Sequence, residues 1–164
     1  MVQFLIWAPV LLLPLANLIP AVLSGAHYDF SQSLIWVVGA VAEELFYRFF
    51  LLQKLLLERT ELRPRIAIVL ASILFAAMHL FNLRSGLPAS QVLVQAACAF
   101  CFSVWAGAVV WRTRSVMIPF LAHVLMNLTA VDGGGLYIPL TASLVTLVIG
   151  ILLIKNHPAF GQCH

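Results

Sequence analysis

The chain has 164 residues, 63% of them hydrophobic and 9% charged, with a mean hydropathy of +1.04 and a formal net charge of +3. An average soluble domain carries about a quarter charged residues, and a fold of this size keeps a large part of its surface exposed. Water is therefore excluded as the solvent for most of the surface, leaving the lipid bilayer. Nucleic acid is excluded as a partner, because the Lys and Arg residues sit between apolar runs and form no basic cluster with interleaved aromatics.

A helix needs about 20 apolar residues to cross a bilayer, at about 1.5 Å per residue. Six candidate runs follow in chain order, at roughly 3–23, 32–57, 65–82, 89–111, 115–131 and 136–154. The first run, Phe4 to Leu23, has no Lys or Arg before it and exceeds the apolar region of a signal peptide. It reads as a retained span, kinked by Pro9, Pro14 and Pro20. Breakers separate the runs: Ser24-Gly25, Arg63-Pro64, Ser85-Gly86 with Pro88, and Gly133-Gly134-Gly135. The fold class expected is all-α: one polytopic transmembrane helix bundle of about six spans, occupying residues 1–164 as a single domain.

Basic residues set the orientation. Arg59, Arg63 and Arg65 follow the second run, Arg112 and Arg114 the fourth, and Lys155 the sixth. The opposite loops hold only Arg84 among cations, with His27, Asp29 and Asp132. The positive-inside rule then puts both termini in the cytoplasm. Cys98 and Cys101 form a CxxC within Ala, Phe and Val, without a second ligand pair, and read as apolar packing. Cys163 lies outside any prenylation box. His157 and His164 read as solvated.

The informative residues are the polar ones inside apolar runs. The second run contains Ala42-Glu43-Glu44-Leu45-Phe46-Tyr47-Arg48, and each charge there costs a few kcal/mol to insert, about 2.5–3.5 on the lenient scale. Glu44 and Arg48 are four apart and share a helix face, so they are expected to pair. Glu43 points about 100° away, toward the interior. The third run offers Phe75-Ala76-Ala77-Met78-His79 and the fifth His123-Val124-Leu125-Met126-Asn127, with His123 and Asn127 on one face. Counted from the basic ends, Glu43 and His79 both lie about 21 Å deep, Asn127 about 18 Å and His123 about 12 Å. Three helices thus bring costly groups to similar depth. A lone intramembrane His is ordinarily glue between helices, whereas an ion pair with Arg48 accounts for only one of two adjacent acids.

These residue types permit amide hydrolysis. A buried Glu can take a proton from water, and His79 can hold that water or relay the proton. His123 and Asn127 supply N–H donors suited to a developing oxyanion. No Ser or Cys stands beside a His as a nucleophile, so direct attack by water fits better than an acyl-enzyme.

The ordered set Glu43-Glu44-x-x-x-Arg48, Phe75-x-x-x-His79 and His123-x-x-x-Asn127 resembles the three motifs of the CAAX protease and bacteriocin-processing (CPBP, or Abi) family. The likeness spans about residues 40–130. It implies a glutamate-type intramembrane protease in which Glu43 and His79 activate water and His123 and Asn127 form the oxyanion hole. Glu44, Arg48, Tyr47 and Phe75 would act in support. Eukaryotic members remove the last three residues from prenylated proteins. The substrate implied is a membrane-anchored protein or peptide, either a prenylated CAAX-like tail or a bacterial C-terminal sorting tail.

Glu plus two His could bind Zn²⁺. A metal-free reading, with no cofactor, is favoured because it uses every residue. The chain is shorter than larger relatives, which carry additional N-terminal spans. The depth count sets the site toward the outer half of the membrane, which suits an exported substrate, and a bacterial plasma membrane is the expected location. The alternative is a non-proteolytic member acting in bacteriocin self-immunity or as a scaffold. Haem held between His79 and His123 would leave the Glu-Glu-Arg cluster without a task. A proton- or ion-coupled transporter would be expected to show an internal repeat and broken helices, and neither is present.

Overall fold

The computed structural model describes residues 1–25, 27–58, 60–130 and 137–156. Arg59, Asp132, the Gly133–Gly135 run, His157, Cys163 and His164 lie outside the described residues. Six helical stretches follow in the expected order. Helix α1 spans Val2–Ser24 and passes without a break through Pro9, Pro14 and Pro20. It ends where Gly25 takes a left-handed conformation, φ 63°, and returns its N–H to Ala21 and Val22. Helix α2 spans Phe30–Glu44, capped by Asp29, whose carboxylate accepts from the Gln32 N–H at 3.1 Å. It continues without a gap into a π-helical segment, Leu45–Leu57. The change of helix type falls immediately after the two glutamates.

Helix α3 spans Pro64–His79, with proline at the first helical position, and is extended by a 3₁₀ turn, Leu80–Ser85. Helices α4, α5 and α6 span Ala89–Thr113, Met117–Leu128 and Tyr137–Lys155. Among the described residues, four stretches are long and apolar enough to cross a membrane: Val2–Ser24, Pro64–Ser85, Ala89–Thr113 and Ile138–Lys155. The helix carrying His123 and Asn127 is shorter. Its 12 residues cover about 18 Å, against a hydrocarbon core of about 30 Å.

The helices close into a ring. α4 packs between α3 and α6, α6 against α1, α1 against α5, α5 against α2, and the π-helical segment against α3. The basic end of α4 is tied to that of α6 by Arg112, whose Nε donates to the Leu153 carbonyl at 2.8 Å. Every residue from Cys101 to Val110 is buried, a pattern in which small residues let backbones meet. A Cβ on Gly150 would lie 2.8 Å from the Trp105 backbone, so α4 and α6 touch main chain to main chain there. The outward faces are apolar: Phe4, Leu11, Ile73, Leu93 and Val148 are all exposed. Such a surface is stable only against lipid tails.

Helix α5 is short, and its last carbonyls need donors. Neighbouring elements supply them. Asn17 of α1 donates Nδ2 to the Met126 carbonyl at 2.9 Å, and the Tyr28 hydroxyl donates to the Leu128 carbonyl at 2.9 Å. The Thr129 hydroxyl turns back onto Leu125 and Met126.

Candidate active site

The two adjacent glutamates face different environments. Glu44 is buried, and one of its oxygens meets Arg48 Nε at 3.3 Å. The pair forms an ion pair without hydrogen-bond alignment. The guanidinium is instead covered by aromatic faces, 4.4 Å from the Phe75 centroid and 5.6 Å from that of Phe102, an arrangement that stabilises a desolvated cation. The other Glu44 oxygen accepts from Nδ1 of His123 at 3.0 Å. Because Arg48 holds Glu44 in place, the carboxylate orients the imidazole as a buried acceptor orients a metal-bound or catalytic histidine.

Glu43 lies one residue away and keeps 39% of its side-chain surface open, with Oε2 at 3.8 Å from His123 Nε2. It lines a cavity of about 1130 Å³ together with His79, His123 and Asn127, while Glu44 and Arg48 stand behind the lining, against His123, Phe75 and Phe102. His79 and the Phe75 carbonyl are 3.0 Å apart through Nδ1. A carbonyl can only accept, so Nδ1 carries the proton and Nε2 is the free nitrogen in the neutral ring. Among the described residues His79 pairs with neither glutamate. Asn127 spends one amide N–H on the Trp36 carbonyl at 2.8 Å, and its second N–H remains available.

Phe75 joins these parts. Its ring packs edge-on against Tyr47 at 5.2 Å, against His79 at 5.1 Å and against His123 at 6.0 Å, besides covering Arg48. Tyr47 is buried beside it and also faces an apolar crevice between the π-helical segment and α3. The four residues read from the sequence as chemically active therefore share one cavity, and the four read as supporting stand around or behind it. Among the described residues no three His, Cys, Asp or Glu side chains come together as a metal-ligand set.

The family model described as type II CAAX prenyl endopeptidase Rce1-like matches residues 6–129. The chain belongs to this family. The match runs from α1 through α5, starting well before the stretch of about residues 40–130 that carries the motifs, and leaves α6 outside it. No curated protein and no solved structure matches the chain. This Rce1-like protein is thus a membrane protein of a protease family, and its family membership extends to the helix that contributes Asn17.

Some residues at the site escaped the sequence reading. Phe102 of α4 covers Arg48 and packs 5.1 Å from His123, yet one Phe in an apolar run gives no signal. Asn17 and Gln95 do give one, since each is an amide inside an apolar run. Neither has an acid or a histidine at helical spacing to raise it above the ordinary polar contact between helices. Tyr28 lies in a loop, and only the position of the α5 terminus reveals its task.

Proposed function

We propose that this Rce1-like chain is an intramembrane endopeptidase that cleaves the C-terminal tail of a membrane-anchored protein with water activated by Glu43. One observation carries the reading: Glu43, His79, His123 and Asn127 line a single cavity, while the Glu44–Arg48 pair is sealed behind it. Glu43 takes a proton from a water held between its carboxylate and the free Nε2 of His79. The hydroxide attacks the scissile carbonyl, whose oxygen gains the electron pair. Glu43 then delivers the proton to the departing amine as the carbon–nitrogen bond breaks.

Asn127 offers its second N–H to the oxyanion. Nδ1 of His123 is committed to Glu44, so Nε2 donates to the oxyanion only when the ring carries both protons. Glu44 supplies the counter-charge for that form throughout, and Glu43 does so until it takes the proton from water. Each residue then has a distinct task without a metal. Zn²⁺ on a glutamate and two histidines is the competing arrangement; among the described residues Glu43 and His123 approach each other without a third ligand, short of the three protein ligands a catalytic zinc takes.

The cavity also reaches Ser85 at the end of the 3₁₀ turn and Leu87 and Ala130 beyond the helices, opposite the basic ends marked by Arg63, Arg112 and Lys155. With the basic ends cytoplasmic, the mouth faces outward. That favours an exported tail, such as a bacterial sorting helix trimmed at the plasma membrane, over a cytosolic prenylated one. The test offers wild type and Glu43→Gln, each in detergent, a set of prenylated and apolar sorting tails, with mass spectrometry of the products and a parallel chelator arm. Cleavage by wild type alone supports the reading, and its persistence in chelator supports the metal-free form. Cleavage by both proteins removes Glu43 as the base. Binding without cleavage by either puts an immunity or scaffold role in its place. Cleavage of cytosolic lipidated tails but never of exported ones would overturn the outward mouth.

A further inference from the structure

Between the proposed catalytic groups and the mouth, the cavity wall carries carboxamides. Asn82, on the 3₁₀ turn three residues beyond His79, donates its Nδ2 to Oε1 of Gln95 on α4 at 2.7 Å, and both residues line the cavity. A single hydrogen bond between two carboxamides uses only part of their capacity. Oδ1 of Asn82 and the NH₂ of Gln95 have no protein partner among the described residues. Turning both amides over gives the same result, with Gln95 then showing the oxygen and Asn82 the NH₂. In either arrangement the wall presents one acceptor beside one donor, the complement of the N–H and C=O of a peptide.

The position along the cavity fits a substrate backbone. Gln95 lies seven residues before Phe102, about 10.5 Å of helix rise, and Phe102 packs against His123. An extended peptide advances about 3.3 Å per residue, so this distance is about three residues. Glu43 is the only Asp, Glu, Lys or Arg among the described cavity-lining residues. A terminal carboxylate at this depth would find no cation there, whereas a neutral peptide group is fully matched.

We infer that the Asn82–Gln95 pair is a substrate-binding rung that clasps a backbone amide about three residues from the scissile bond, on the side toward the mouth. The inference rests on the endopeptidase reading and adds to it a subsite that recognises main chain rather than side chain. Affinity then depends on the tail being extended at that point, and the residue held there is free to vary. Asn82 and Gln95 act on binding, while the groups around Glu43 act on the bond.

The experiment uses a series of synthetic tails, each with one amide N–H replaced by an ester oxygen, moved residue by residue away from the scissile bond on either side, to four residues or to the end of the tail. Both farnesylated Cys-aliphatic-aliphatic-Met tails and apolar sorting tails enter the series. With wild type, the ester at one position about three residues from the cut raises KM about tenfold, the equivalent of one lost hydrogen bond, with kcat within about twofold. With Asn82→Leu and Gln95→Leu that penalty disappears, because the partner is already gone. Replacing a free terminal carboxylate by an amide leaves KM unchanged. The same series is read as binding to wild type by fluorescence anisotropy. This keeps the rung testable if no tail is cut, an outcome that defeats the endopeptidase reading alone. A series with no ester-sensitive position in either readout overturns the rung, as does a position equally sensitive in wild type and both variants.

Discussion

The two halves of α4 differ. From Cys101 to Val110 every residue is buried, in contact with α3 and α6, and the α6 backbone comes close enough that Gly150 has no room for a side chain. From Ala89 to Phe100 only Val92 and Ala99 are buried, and Gln91, Gln95 and Cys98 border the cavity. The same helix is thus a close-packed strut in one half and the wall of a hollow in the other. Phe102 stands at the boundary, touching His123 on one side and the Arg48–Phe75 stack on the other. The difference shows how a small membrane protein holds polar groups at depth. One half supplies the dispersion and main-chain contacts that hold the bundle together. The other half is left open so that Glu43 remains accessible.

The contrast is sharpest one residue apart, at Glu43 and Glu44, and the largest expected effect tests it there. Glu43→Gln should lower kcat by about 10²–10⁴-fold, the usual range for a lost general base, while thermal unfolding in detergent stays within experimental error of wild type. A comparable loss of stability would show that Glu43 belongs to the packed half. Arg48→Ala should act first on stability. Removing the partner of a buried charge costs about 3–5 kcal/mol, and Glu44 would lose its hold on His123. Denaturant or thermal unfolding should register the loss in full, and Arg48→Lys should restore only part, because the aromatic stack over Phe75 suits a planar guanidinium.

Gly150→Val should destabilise by about 1–3 kcal/mol through overpacking, whereas Gln91→Leu, on the open half of α4, should stay within about 0.5 kcal/mol. Equal effects from these two would remove the distinction between the halves. A smaller effect than that of Gly150→Val is expected from Asn17→Leu. It leaves the Met126 carbonyl without its donor and should cost about 1 kcal/mol, with a several-fold fall in kcat because the end of α5 carries Asn127. A stability loss with unchanged kcat would make Asn17 a structural cap only.

The sequence alone established the helices, because an apolar run of about 20 residues has few alternatives in a bilayer. The predicted 32–57 run appears as Phe30–Glu44 and Leu45–Leu57, and the 89–111 run as Ala89–Thr113. The site candidates were legible for the same reason: a charge or imidazole in hydrocarbon is costly enough to stand out from its neighbours. Spacing of four also gave the Glu44–Arg48 pair and the shared face of His123 and Asn127.

What the tertiary structure decided was the partnering. Nothing in the order of residues says that His123 faces Glu44 through Nδ1, that Asn127 gives one N–H to Trp36, or that Asn17 and Tyr28 finish α5. Those bonds join residues far apart in the chain, and their donors and acceptors meet only after the ring of helices closes. The change from α- to π-helix after Glu44 was equally unreadable, since it reflects a local choice between i→i+4 and i→i+5 bonding that side-chain packing decides. Hydropathy fixes which segments enter the membrane, because transfer energy adds residue by residue. The cavity, the sealed ion pair and the amide rung depend on which faces meet, and that is set by packing between helices.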